Sequence, residues 1–501
     1  MTYLLAIDQG TTSTRSLLFD SSGRLLALAQ REFAQSYPQP GWVEHDPEEI
    51  WRDVLATARE AITKSGAPVA AIGIANQRET TVVWERATGR PIYPAIVWQD
   101  RRTAAMCEGL REQGCEALIR ARTGLLLDPY FSATKLAWLL GHVPDARARA
   151  DGGELAFGTI DSFLLWRLTD GKTHATDATN AARTMLFDIH RLCWDEDLLR
   201  LFNIPKPLLP VVHGNDFRFG VTAPGLFDRQ ISIAGMAGDQ HAALIGQACF
   251  DAGMAKATYG TGLFLLLNSG QDAPPAAKGI VTTLGYCAAG HTVYAAEGSA
   301  FAAGAALKWL RDRLGLFQDV SQTAALAAGA EGNGGVYLVP AFAGLGAPYW
   351  DPQAKGLICG LTFDSGSAQI VRAALESAAY QTVDLLQTMS GGAAPPTLRI
   401  DGGMAANDWF CQFLADILDA PVERPSLLES TAQGAAYLAG LAVGLVPDLA
   451  SISAAWDCGA RFEPRMGDAE RKRLLSGWQE AVARALPVLG SAQARVSKGE
   501  G

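Results

Sequence analysis

The sequence is short of the features that would place a chain outside the cell, in a membrane or on nucleic acid. Its 8 cysteines among 501 residues are scattered. There is no CxxC pair and no paired Cys/His spacing, which argues against a disulfide scaffold or a zinc site and for reduced thiols. The most apolar late run, residues 434–446, is shorter than the roughly 18 residues that suggest a membrane span. Positive charge is also scarce: 42 Lys and Arg against 52 Asp and Glu give a formal net charge of −10. That balance argues against general binding to nucleic acid or anionic membranes. No basic-then-apolar leader opens the sequence, so the expected location is cytoplasmic.

What is present is an ordinary globular composition, 49% hydrophobic and 19% charged. The chain is too long for one core and sufficient for two. The organising stretch is residues 4–28, LLAIDQGTTSTRSLLFDSSGRLLAL. An apolar run to Ile7, a polar corner, a second run over residues 17–19, a polar turn and a third strand form its pattern. Gly10 permits close backbone approach to a ligand, and Thr11, Thr12, Ser13 and Thr14 add hydroxyls beside amides that can converge on phosphate oxygens. Asp8 faces the same corner, and a carboxylate beside a phosphate cradle asks for an intervening cation, Mg2+, held through coordinated water. Alone, this corner reads equally as a polar hairpin turn. A second strand–corner–strand, MAKATYGTGLFLLLNSG at residues 254–270, favours the phosphate reading. Two such hairpins predict an internal duplication, with a nucleotide tail lying between two similar domains.

Other segments place candidates around that cleft. Asp46 followed by Pro47, Glu48 and Glu49 predicts a helix start, and Ile50, Trp51, Val54, Leu55, Ala58 and Ile62 fall on one helical face as core. His45 before it reads as structural. The strand over residues 69–75 leads into Asn76-Gln77-Arg78-Glu79. The extended residues 95–98 end on Trp98, and Tyr130 and Phe131 follow Asp128-Pro129. A short apolar strand over residues 231–235 precedes Met236-Ala237-Gly238-Asp239-Gln240-His241, where a helix begins, and Asp239 by itself reads as that helix's cap. Residues 158–166 and 177–185 supply no evident chemistry. The small, polar residues after Pro487 are expected to fray.

Taken together, the two corners, NQRETT at residues 76–81, IVWQ at 96–99, DPYFS at 128–132, GDQ at 238–240 and DGGMAAN at 401–407 resemble the FGGY carbohydrate kinases. The resemblance runs from residue 4 to about residue 465. It implies an α/β fold of two RNase H-like domains of the actin and hexokinase ATPase type, residues 1–246 and 247–501, closing over nucleotide and substrate. By the same resemblance Arg78, Glu79, Trp98, Tyr130, Asp239, Gln240 and Phe264 bind a polyol, and Asp239 is the general base. It further implies nucleotide contacts at Thr11, Thr12, Ser13, Arg15, Thr261, Gly262, Gly304, Gly403 and Asn407, and Mg2+ near Asp8 and Asp239. An acidic protein can still bind ATP, because backbone amides and Mg2+ neutralise it locally. The implied reaction is ATP-dependent phosphorylation of glycerol, with a longer polyol or ketose such as erythritol, xylulose or ribulose, or a non-catalytic actin-like switch, as the alternatives. Relatives also suggest a homodimer or higher homo-oligomer. The loop by which some relatives bind fructose 1,6-bisphosphate is not matched at residues 223–229, and His241, Lys308 and Phe363 depart from residues found in many of them.

Overall fold

The computed structural model describes residues 2–66, 68–392 and 395–486; the tail expected to fray lies outside them. Two mixed sheets carry the architecture. In the first, the strand Tyr3–Gln9 is central. The antiparallel pair Ser13–Phe19 and Leu25–Glu32 extends it on one side, and the parallel strands Val69–Asn76 and Ser232–Gly238, edged by the antiparallel Arg218–Val221, lie on the other. The second repeats that plan around the strand Ala255–Tyr259. Leu263–Gly270, His291–Ala300 and Val281–Ala288 run antiparallel on one side, and Leu398–Asp401, Val422–Pro425 and the antiparallel edge Cys458–Phe462 complete the other.

Alternation along Tyr3–Gln9 explains why its sequence is apolar throughout. Leu5 and Ile7 enter one core with Ile50, Trp51, Val54 and Ala58 of the helix Pro47–Ser65. Leu4 and Ala6 enter another with Ala435, Leu438 and Ala439 of the helix Ser430–Val443. A strand covered on both faces has no solvent side to make polar. The first helix starts as its sequence dictates: Asp46 accepts from the Glu48 amide at 2.9 Å, and Pro47 stands in the first turn, where its missing N–H costs nothing.

The Ala/Gly composition of the helix Ser430–Val443 also has a steric cause. A Cβ at Gly73 would lie 2.1 Å from the Ala435 carbonyl oxygen, and one at Gly434 would lie 1.8 Å from that of Ala242. Only glycine permits these backbones to approach. The helix, though late in the chain, thereby packs on the first sheet and on the helix Asp239–Gly246.

Several sequence boundaries shift. The strands run through the polar residues to Gln9 and resume at Ser13, leaving a corner of three residues. Antiparallel pairing explains this, since it satisfies the backbone of Asp8 against Arg15 and Gln9 against Thr14 whatever their side chains. The strand expected over residues 231–235 runs instead from Ser232 to Gly238. Tyr349 and Trp350 are partly buried against the second core. Tyr349 donates to Asp384 Oδ2 at 2.9 Å and Trp350 to the Gly279 carbonyl at 2.5 Å. Phe363, by contrast, is fully exposed.

Candidate active site

Both hairpin corners are closed by a glycine N–H. Gly10 N–H donates to the Ser13 carbonyl at 2.9 Å, and Gly260 N–H to the Gly262 carbonyl at 3.0 Å. In the first, Thr11 Oγ1 accepts from Trp98 Nε1 at 2.9 Å, so the corner is fastened to the wall beside it. Arg15 is paired with Glu429 at 2.8 Å. In the second, the start of the helix Gly304–Asp312 is bound to the corner, the amides of Gly304 and Ala305 donating to the carbonyls of Gly260 and Thr261 at 3.0 Å. A Cβ at Gly304 would meet the Gly260 oxygen at 2.6 Å, so glycine is required there.

Gly402, at φ 86°, turns the chain out of the strand Leu398–Asp401 into a single turn Gly403–Ala406 before the helix Asp408–Leu418. Asn407 caps that helix, accepting from the Phe410 amide at 3.1 Å and donating to Thr323 Oγ1 at 3.2 Å. Gly403 itself has open space on its Cβ side.

The polar centre lies where the two sheets meet. Asp239 is the first residue of the helix Asp239–Gly246, placed there by the end of the strand Ser232–Gly238. Its Oδ1 is 3.1 Å from Arg78 Nε and accepts from the Gln240 amide at 2.7 Å. The carboxylate is 28% exposed against 2% for the Arg78 side chain, so it is the more accessible member of this pair. Glu79 sits at φ 60°, a left-handed conformation uncommon for a non-glycine residue and held here by packing. Trp98 stands edge-on to Tyr130 at 5.4 Å and to Phe264 at 6.2 Å between ring centroids. The Arg78 guanidinium lies 6.0 Å over the Phe264 ring. Arg78, Asp239, Trp98, Tyr130 and Phe264 are thereby brought together, apolar rings beside charged groups.

Two further residues, Arg183 and Glu297, complete this centre. Glu297, in the strand His291–Ala300, receives Arg78 Nη1 at 2.6 Å and Nη2 at 2.8 Å. Arg183 donates to Glu79 Oε1 at 2.6 Å and to Glu297 Oε2 at 3.1 Å. Its segment, read from sequence as structural, thus carries a charge into the site. Burial works to raise the Glu297 pKa, but Arg183 and Arg78 override it and hold the carboxyl well below the usual range. Burial pushes the Glu79 carboxyl up, with Arg183 and Arg78 opposing. The Tyr130 phenol is raised by burial and stays protonated, able to donate.

Asp8 is pushed up to about 7, chiefly by desolvation, with Arg15 opposing and Glu429 and Asp239 adding to the rise. A buried carboxylate with other carboxylates near it is stabilised in its charged form by a bound cation. Among the described residues no group of three or more His, Cys, Asp or Glu is gathered as a metal cage. Among the described residues neither ring nitrogen of the buried His241 finds a hydrogen-bond partner, and its pKa lies well below the ordinary value, through burial and then Arg78. It stays a neutral packing group.

Behind the centre lies a buried polar network. Asn76 and Asn180 exchange amide hydrogen bonds at 3.0 Å, and Asn180 donates to Asp177 Oδ2 at 2.6 Å. Thr179 donates to Asp177 Oδ1 and accepts from the Gly238 amide at 3.1 Å, one residue before Asp239. Asn215 ties the same network to the second sheet, accepting from the Cys287 amide at 2.6 Å.

A sheet plan repeated in two halves, with a Gly/Thr corner in each and a partly exposed carboxylate in a polar, aromatic-walled centre where the sheets meet, has the architecture of two-domain kinases. The FGGY family of carbohydrate kinases accounts for nearly the whole chain: its N-terminal domain matches residues 3–246 and its C-terminal domain residues 255–443. The chain belongs to that family. A glycerol kinase of Gluconobacter oxydans is 60% identical, covering 96% of this chain and 95% of its own, and one of Rhodospirillum centenum is 57% identical with coverage of 96% and 97%. The crystal structure of Plasmodium falciparum glycerol kinase with ADP superposes with a TM-score of 0.91 at 38% identity, covering 98% of this chain and 99% of that one. A xylulose kinase of Lactobacillus acidophilus, at 23% identity and a TM-score of 0.87, shares the fold. Among the described residues no helix is long and apolar enough to cross a membrane.

Proposed function

We propose that the chain transfers the terminal phosphoryl group of ATP to a primary hydroxyl of glycerol, yielding sn-glycerol 3-phosphate and ADP. The observation that carries the reading is the convergence of Arg78, Glu79 and Asp239 with the rings of Trp98, Tyr130 and Phe264 between two phosphate-type corners. The relatives at 57–60% identity named above, and the ADP-bound relative, support glycerol and ATP as the substrates. Two domains, residues 1–246 and 247–501, would close over them.

In this reading the aromatic walls cover the carbon side of the triol, while Glu79, Gln240 and Arg78 address its hydroxyls. Asp239 accepts the proton of the attacking hydroxyl as its oxygen bonds to phosphorus. The bond from phosphorus to the bridging oxygen breaks, and its electron pair leaves on ADP. The amides and hydroxyls at Thr11, Thr12 and Ser13, with Arg15, would hold one side of the phosphate tail, and Thr261 and Gly262 the other. Gly304, Gly403 and Asn407 would approach the nucleoside. Asp8 and Asp239 would hold Mg2+, which, when bound, neutralises phosphate charge. The raised Asp8 carboxyl supports that assignment. Reduced thiols and cytoplasmic substrates fit a cytoplasmic enzyme.

The test is ADP release with Mg-ATP and glycerol, erythritol, xylitol, D-xylulose, D-ribulose or no acceptor. Rapid turnover with glycerol alone is expected. Faster turnover with a longer acceptor would overturn the substrate, and slow turnover indifferent to acceptor would overturn the kinase reading.

A further inference from the structure

Lys256 lies on the strand Ala255–Tyr259, which leads into the second hairpin corner, and is fully buried. Its ammonium reaches across to the first half of the chain and donates to Gln240 Oε1, and it also donates to Thr258 Oγ1 at 3.0 Å. Burial lowers its pKa to about 8, with Asp401 and Asp239 opposing. A buried lysine of this kind is retained only where its charge or its donors are used.

From this contact we infer that Lys256 is a positioning residue that fixes the rotation of the Gln240 amide, so that only its N–H donors face the acceptor hydroxyls. An ammonium has three donors and no acceptor. Gln240 must therefore turn its oxygen toward Lys256, since the flipped amide would set donor against donor. The Nε2 group makes no hydrogen bond among the described residues and is the end left for a ligand. The chemistry gives this a purpose. An attacking hydroxyl has one proton and must hand it to Asp239. A Gln240 carbonyl facing the same hydroxyl would compete for that proton, whereas an N–H can only stabilise an oxygen lone pair. Lys256 thus removes the misdirected arrangement, and does so from the sheet that carries the second corner.

The inference rests on Gln240 touching the acceptor, and the experiment separates the two. Steady-state kinetics of the full chain with glycerol and ATP are measured for Lys256→Met, Gln240→Leu and the double variant, with thermal melting to verify folding. Lys256→Met is expected to lower kcat roughly ten- to hundredfold, the range of one misplaced polar group beside a transferred proton, with KM for ATP little changed. In the Gln240→Leu background, where no amide is left to orient, the same change should cost almost nothing further. Losses that multiply would overturn the inference while leaving the Gln240 contact intact. A Gln240→Leu variant of undiminished kcat and KM would instead remove the contact, and the inference with it. Lys256→Gln keeps an N–H donor and is expected to lose less than Lys256→Met; an equal loss in both would also overturn it.

Discussion

Arg78 and Glu297 are joined by two parallel hydrogen bonds of 2.6 and 2.8 Å across the junction of the two sheets, with both side chains at 3% exposure or less. Glu297 also faces Arg183, so this carboxylate lies against two guanidinium groups, whose other partners are Asp239 and Glu79. Breaking a buried pair leaves an uncompensated charge rather than merely removing an attraction. Glu297→Gln keeps the shape and discards the charge. It is expected to lower the unfolding free energy by about 3–5 kcal/mol, read by urea denaturation, and to raise KM for glycerol as Arg78 and Arg183 crowd Glu79. A loss below about 1 kcal/mol, the range of a surface pair, would show that the cluster is solvated in solution.

Asp239 is the partly exposed member of its pair with Arg78, which suits the proton acceptance proposed for it. Asp239→Asn retains the side-chain volume but cannot accept that proton. The expectation is a fall in kcat of roughly 10²–10⁴-fold, the usual contribution of a positioned base, with ADP affinity by calorimetry unchanged. An Asn variant of ordinary kcat would remove Asp239 from the mechanism.

These two predictions differ in how much of them was legible beforehand. Asp239 ends an apolar strand and begins a helix, a pattern confined to a few consecutive residues, and Arg78 and Glu79 are adjacent. The hairpins and the Asp46 cap are equally local. Glu297 and Arg183 are different, because each acquires meaning from a partner more than a hundred residues away. No periodicity reaches that far. One signal was present: Glu297 stands between Ala296 and Gly298, and Lys256 between Ala255 and Ala257, each a charge inside a small, apolar strand. Such a residue is buried only when paired, so the strand pattern alone announces a partner without naming it. The shift of strand ends into polar residues has the opposite cause, since backbone pairing there is indifferent to the side chains that sequence patterning reads.

Asp384 offers a stability test away from the cleft. Its Oδ2 accepts from Tyr349 Oη at 2.9 Å and Trp478 Nε1 at 2.8 Å. Burial nevertheless raises the carboxyl from 3.8 to about 6. The folded state therefore prefers the protonated form. The stability this contributes is full below pH 3.8, declines between 3.8 and about 6, and is lost above that. Asp384→Asn offers the same acceptor oxygen without a charge to desolvate. It should be more stable than the parent by about 1–3 kcal/mol above pH 6, from a shift of roughly two units, and the advantage should shrink when melting is repeated near pH 4. A constant difference across that range would assign the effect to packing.

Thr179 gives the last prediction, because its hydroxyl links a buried network to the residue before Asp239, the proposed base. It donates to Asp177 and so presents a lone pair to the Gly238 amide, 3.1 Å away and one residue before Asp239. Asp177 in turn holds Asn180, which holds Asn76, two residues before Arg78. Asp239 and Arg78 are thereby referred to the same fixed group. Thr179→Val preserves shape but leaves the Gly238 N–H without its acceptor, and a displacement of Asp239 by a fraction of an ångström is the cheapest relief. Misplacement of a reacting group acts on the transition state more than on substrate binding. The expected outcome is a fall in kcat of roughly tenfold or more, with KM for ATP nearly unchanged. Equal changes in kcat and in both KM values, or a loss of stability alone, would reduce Thr179 to a packing residue and leave Asp239 to be positioned by Arg78.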